Sequence, residues 1–200
     1  MMDTNGREQH GMLKFQTTAR REKVAAILTM TGLACISLGL AWALCYWYFD
    51  RADLSVLFVG VIVVGVMALA RSRRSDGRSI LFVAHGILIA TCAISLIDAP
   101  IEWVPRSAHM FLLPLAAGAA FTFEARERYG SLIFPLICLA AFAAFAAGAL
   151  DPLAPQISPP VEVREWGARS NILVAIALLA AIFRIYRADV GKRLQLEREL

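Results

Sequence analysis

The chain has 200 residues, 58% of them hydrophobic and 18% charged, with a mean hydropathy of +0.61. Soluble domains average about 45–50% apolar and about 25% charged residues, so the composition excludes an ordinary water-soluble globular protein. The formal net charge of +4 does not point to nucleic acid, because the charges sort by position along the chain into groups between apolar blocks.

A polar stretch of some 23 residues precedes the first apolar segment, Val24 to Phe49. That segment is too long for the apolar region of a cleaved signal peptide and is expected to stay as a first membrane helix. Asp50 to Asp53 is a very short turn, which predicts an antiparallel hairpin with the second segment, Leu54 to Ala70. A charged turn, Arg71 to Arg78, leads to the third segment, Ile80 to Ile97. The fourth, about Ser107 to Phe123, is interrupted by Pro114 and is the weakest of the set. The fifth runs from Leu132 to Leu150 and the sixth from Asn171 to Tyr186. Between them Asp151 to Ser170 carries Pro152, Pro155, Pro159 and Pro160, a density that predicts an irregular loop. A span needs about 20 apolar residues, and these segments meet or approach that length.

The basic residues then sort by side. With the N-terminus inside, 16 of the 20 Lys and Arg residues fall on the cytoplasmic side and only Arg51, Arg106, Arg164 and Arg169 fall outside. Excess Lys and Arg in short cytoplasmic loops orients membrane helices. With nine acidic residues inside and seven outside, the sides carry 16 − 9 = +7 and 4 − 7 = −3. A basic inner face suits an anionic inner leaflet. The expected fold is all-α: six membrane helices over residues 24–186, both termini cytoplasmic, an N-terminal tail over 1–23 and a helical extension over 187–200.

Candidate chemistry is sparse. No Asp, Glu, Lys or Arg lies deep inside any of the six segments, which weighs against ion-coupled transport. No Ser-His-Asp series, His-Glu-x-x-His or phosphate-cradling glycine loop is present, so no catalytic residue, metal site or cofactor is assigned. Cys35, Cys45, Cys92 and Cys138 all fall in apolar segments, where a thiol packs as a small hydrophobe. His85 lies about five residues past the inner end of the third segment and His109 at the outer end of the fourth, too far apart in depth to ligate one haem iron. His85 is left as an intramembrane polar site, read either as a contact to a neighbouring helix or as a ligand contact. Ala140, Ala144 and Gly148 recur every fourth residue and mark the fifth helix for close packing, inside the bundle or across a dimer face.

All four tryptophans, Trp42, Trp47, Trp103 and Trp166, map to the outer half. An interfacial belt accounts for Trp42 and Trp47. With Glu102, Arg106 and Arg164, however, Trp47, Trp103 and Trp166 also outline an outer cup able to receive a small extracellular ligand.

After Phe183 the chain reads Arg-Ile-Tyr-Arg-Ala-Asp-Val-Gly-Lys-Arg-Leu-Gln-Leu-Glu-Arg-Glu-Leu, mostly good helix formers without Pro. The sixth helix is therefore expected to continue out of the membrane, with Gly191 either tolerated or a flexible point. The absence of a cap or breaker after Leu200 fits a longer protein, or one that ends where a partner takes over.

Six helices and the stretch Arg193-Leu-Gln-Leu-Glu-Arg-Glu-Leu200 resemble the N-terminal membrane input regions of bacterial signalling enzymes. The tail from Leu194 to Leu200 is similar to the linker helix of membrane-bound diguanylate cyclases, and less closely to those of class III adenylate cyclases and sensor histidine kinases. The resemblance implies a homodimer in the bacterial inner membrane. In it Tyr186, Gly191, Leu194 and Leu200 relay a stimulus to a cytoplasmic effector, a nucleotide cyclase. The catalytic motifs of those families are absent, so no enzymatic activity is carried over. A small stand-alone transporter and a membrane scaffold that recruits a partner through its C-terminal helix are the alternatives. A transporter's polar path would have to use Thr29, Ser37, Thr91, Ser95 and Thr122.

Overall fold

A computed structural model describes residues 4–72, 77–98, 106–123, 127–153 and 161–199. Among these every regular element is helical: α1 (Thr4–Tyr48), α2 (Ala52–Ser72), α3 (Gly77–Ile97), α4 (Leu112–Thr122), α5 (Phe134–Ala146) and α6 (Val161–Glu199). A 3₁₀ turn, Ala108–Phe111, leads into α4, and a π turn, Tyr129–Ile133, leads into α5. Pro135 accounts for the π turn, since it has no N–H to give the preceding turn and its ring crowds the carbonyl four residues back.

Among the described residues, five helices are long and apolar enough to cross a membrane: Val24–Tyr48, Ala52–Ser72, Ile80–Ile97, Tyr129–Ala146 and Val161–Gly191. Ala108–Thr122 is apolar but shorter. Large apolar side chains such as Leu44, Val56, Ile89, Leu136, Leu173 and Ile176 stand exposed around the outside. In water such a surface would aggregate, whereas hydrocarbon accepts it provided the backbone is satisfied within helices. Inside, Phe134, Leu112, Val24 and Cys138 are fully buried.

The hairpin of α1 and α2 forms as the short turn predicts. Asp50 adopts a left-handed conformation (φ 55°), the Arg51 amide donates to Tyr46 O at 2.9 Å and the Asp50 amide to Trp47 O at 3.1 Å. This is a Schellman ending, in which a short polar residue tolerates the conformation glycine usually supplies. The two helices then lie nearly backbone to backbone. A Cβ on Gly65 would sit 2.8 Å from Gly32 O, and one on Gly32 would sit 2.9 Å from Gly65 O.

The close contact expected along Ala140, Ala144 and Gly148 does not form within the chain. Ala140 is exposed, and Gly148 (φ +70°) lies beyond the end of α5. There it closes a second Schellman ending, with the Ala149 amide on Ala144 O at 3.0 Å and the Gly148 amide on Phe145 O at 3.2 Å. Within the chain, Gly148 serves a cap and Ala140 meets no neighbouring helix closely. The polar segment before Val24 is helical from Thr4 onward, continuous with the first apolar segment. One other expectation needs correction. The segment 161–170, expected as loop, is the start of α6, so the proline-dense run precedes a helix as an N-terminal stop signal.

Candidate functional site

A buried polar cluster joins one end of the bundle. Asp98, just past α3, turns its carboxylate to the start of the α4 segment. Its Oδ2 accepts from the Ser107 amide at 2.8 Å, the Ala108 amide at 3.0 Å and the Ser107 hydroxyl at 3.2 Å. A carboxylate at a helix N-terminus satisfies orphan amides and meets the positive end of the helix dipole. Asn171 of α6 donates from Nδ2 to Ser107 Oγ at 3.1 Å, which ties α6 to the same cap.

Arg106 holds the neighbouring corner. It is 7% exposed and donates from Nη1 to Phe145 O at 2.9 Å, from Nε to Asp98 O at 3.3 Å and from Nη2 to the Asp151 carboxylate. The guanidinium also lies 5.1 Å from the centroid of the Phe145 ring. It thereby caps the carbonyl end of α5 and fixes α5 antiparallel to α4.

Arg164 is the exception among these charges. It is 4% exposed, yet its Nε and Nη2 have no hydrogen-bond partner. Placed in an irregular loop by sequence, it is carried inward because α6 begins at Val161 and its first turn faces the bundle. Arg164 precedes the sixth apolar segment, Asn171 to Tyr186, and is nevertheless buried, in the first turn of α6. Buried ionisable groups at membrane depth are costly and mark functional positions. His109 is also buried, stacks on Phe142 with centroids 5.1 Å apart, and leaves Nδ1 without a partner.

Arg164 opens on a cavity of about 210 Å³ that runs between α1, α2, α3, the α4 segment and α6. Its polar end is formed by Asp98, Ser107, Arg164 and Asn171, with Trp42 and Tyr46 beside them. Its far end is lined by Leu28, Phe123, Ile182 and Ile185. Trp42 reaches across to α6, where Gly167 makes room: a Cβ there would lie 2.6 Å from the indole ring. Trp42, Tyr46 and Phe58 stack in a cluster, with centroid separations of 5.4–6.1 Å.

The outer cup is therefore only partly assembled as outlined. Arg164 faces the cavity, but Arg106 is engaged with α5 and Asp151. Trp47 and Trp166 are 69% and 74% exposed and line no part of the cavity. Glu102 and Trp103 lie outside the described residues. Trp42 and Tyr46 take the place of the outward tryptophans. Their position four residues apart on the face opposite Gly167 depends on which helix α1 meets, which the sequence alone does not specify.

His85 sits at the other end. Its Nδ1 is 2.6 Å from Leu81 O and its Nε2 is 2.8 Å from the Tyr129 hydroxyl. A carbonyl only accepts, so Nδ1 carries the hydrogen and, in the neutral ring, Nε2 accepts from Tyr129. Both nitrogens are engaged within the bundle. Ser37 and Thr122 likewise donate to carbonyls of their own helices. Tyr186 stacks on Phe121 with centroids 4.4 Å apart. Leu194 is exposed, a Cβ on Gly191 would meet nothing, and Leu200 lies outside the described residues. Among the described residues, no three His, Cys, Asp or Glu side chains gather as metal ligands.

Comparison of the chain with protein families, curated proteins and solved structures finds no match.

Proposed function

We propose that the chain is the membrane anchor and sensory input module of a homodimeric signalling protein of the bacterial inner membrane. It crosses the bilayer six times with both termini cytoplasmic and passes a stimulus through α6 to a cytoplasmic effector, a nucleotide cyclase. The observation that supports this most is the continuity of α6. It is one helix of 39 residues, about 58 Å long at 1.5 Å per residue, against an apolar slab about 30 Å thick. Its first turns carry Arg164 and Asn171 at the cavity, and its last turns carry exposed Leu194 and Gln195 beyond the apolar stretch. A change at one end is thus mechanically joined to the other.

The sixth crossing in this proposal is Ala108–Thr122. About 22 Å long by its residue count, it is short for a span. Asp98 and Arg106 nevertheless hold its start against the ends of α3 and α5, as an up-and-down bundle requires. Transmission needs two packings of similar energy that the stimulus binds differently.

The test is self-association in detergent of the 1–200 chain and of a version ending at Tyr186, by light scattering corrected for bound detergent. A dimer that depends on the last fourteen residues is expected. Monomers in both cases would remove the dimeric relay.

A further inference from the structure

We propose that the cavity between α1 and α6 is a binding site for a single-chain amphiphile with a carboxylate head, held by Arg164. Three observations converge on this ligand class. First, the site has a built polar end and an apolar remainder. Asp98, Ser107, Arg164 and Asn171 close one end, while Leu28, Ile182 and others line the far part. From Arg164 to Ile185 is 21 positions along α6, or about 31 Å at 1.5 Å per residue. A volume of about 210 Å³ spread over that length is a slot for one chain, since an apolar cavity of roughly 150 Å³ already takes a compact molecule the size of benzene.

Second, of the buried polar groups without a partner, which include Ser95 Oγ and His109 Nδ1, those that line the cavity belong to Arg164. Nε and Nη2 are neighbouring N–H groups on one edge of the guanidinium, and both lack partners. That edge matches the two oxygens of a carboxylate, which a single carbonyl or hydroxyl cannot satisfy as a pair. Third, the nearby negative charge is already committed. Asp98 Oδ2 is taken by two backbone amides and the Ser107 hydroxyl at the start of the α4 segment. Arg106 and Asp151 bind one another. The cluster of Asp98, Arg106, Asp151 and Arg164 is formally neutral, so a bound anion meets no excess of like charge. The positive end of the α6 dipole, in whose first turns Arg164 lies, adds to its attraction. The apolar chain would follow Trp42 and the α6 residues Leu178 and Ile182 inward.

The site stands whether or not α6 relays a signal, because its test reads occupancy and not association. The full chain in nanodiscs of zwitterionic lipid is exposed to dodecanoate carrying a diazirine near its methyl end, irradiated, and the labelled residues mapped by mass spectrometry. Labelling is expected on cavity residues of α1 and α6, displaced by dodecanoate but not by dodecanol or by acetate. R164Q should weaken displacement roughly tenfold, as expected for loss of a charged hydrogen-bonded pair, while R164K retains part of it. Leu178→Trp fills the slot without touching the head site and should abolish cavity labelling, which guards against misfolding of the Arg164 variants. Label confined to outward residues such as Leu173 and Ile176 would overturn the proposal. So would equal displacement by dodecanol, or a photoreactive phosphatidylglycerol that labels the same cavity residues and displaces dodecanoate.

Discussion

Replacing Arg106 by Met tests whether the buried corner at the end of α5 stabilises the bundle. Met keeps most of the side-chain volume and removes the guanidinium. The structure shows a bond to Phe145 O at 2.9 Å, a longer one to Asp98 O at 3.3 Å and the ion pair with Asp151. Hydrogen bonds to charged groups contribute about 1.5–3 kcal/mol each, and breaking a fully buried pair costs about 3–5 kcal/mol. Two features lower the expected loss. Asp151 is about a third exposed, so its carboxylate rehydrates once Arg106 is gone, and Phe145 O still accepts from the Gly148 amide at 3.2 Å. The expected destabilisation is therefore about 2–3 kcal/mol. Asp151→Asn keeps an acceptor oxygen and loses the charge, which should cost about 1 kcal/mol. The double variant should be less destabilised than the sum by about 1–2 kcal/mol, the mark of a direct interaction. Unfolding by dodecyl sulfate in mixed micelles, followed by circular dichroism, measures all four proteins. If Arg106→Met lies within about 0.5 kcal/mol of the parent, or if the two changes simply add, the corner is not the clamp its geometry implies.

Two further outcomes follow from packing. Gly65→Val places side-chain atoms against Gly32 O and Cys35 Cβ, 2.8 and 3.0 Å from the first added carbon. It should destabilise by at least about 2 kcal/mol, whereas Gly60→Ala, which meets nothing within 4 Å, should be neutral or stabilise by up to about 1 kcal/mol; equal effects in the same unfolding assay would deny the close helix contact. Tyr129→Phe removes the hydroxyl that His85 Nε2 engages and should cost about 0.5–1.5 kcal/mol. It should also change the His85 ring resonances in a nitrogen NMR spectrum, and unchanged resonances would count against that bond.

Much of the helical order was legible because the segments are blocked by composition, and hydrocarbon selects for blocks. The Asp50 turn was legible because four residues leave the chain little room to do anything but reverse. The helical start of α6 at Val161 is not legible, because Pro159 and Pro160 suit a loop and the first positions of a helix equally. Read as a loop, the segment sets Arg164 outside the bundle, away from the polar end of the cavity. The α1–α2 contact had a signal, Gly32 and Gly39 seven residues apart, two helical turns. In the similar spacing of Ala140, Ala144 and Gly148 the glycine serves a turn. Which helices flank Trp42 and Tyr46 is a property of the assembled bundle, so the cavity had no signature along the chain.

The length of α6 makes it a lever. Phe183 and Tyr186 rest on Phe121 of α4, with ring centroids 5.5 and 4.4 Å apart, and that contact is a natural fulcrum. From Arg164 to Phe183 is about 28 Å along the rod, and from Phe183 to Glu199 about 24 Å. A rigid rod pivoting there carries a 1 Å sideways step at Arg164 into an opposite step of roughly 0.8 Å at Glu199, with little attenuation. Gly191 lies within the second arm, and the helix runs unbroken through it, so a rod of this shape would hand motion at the fulcrum on to the far tip.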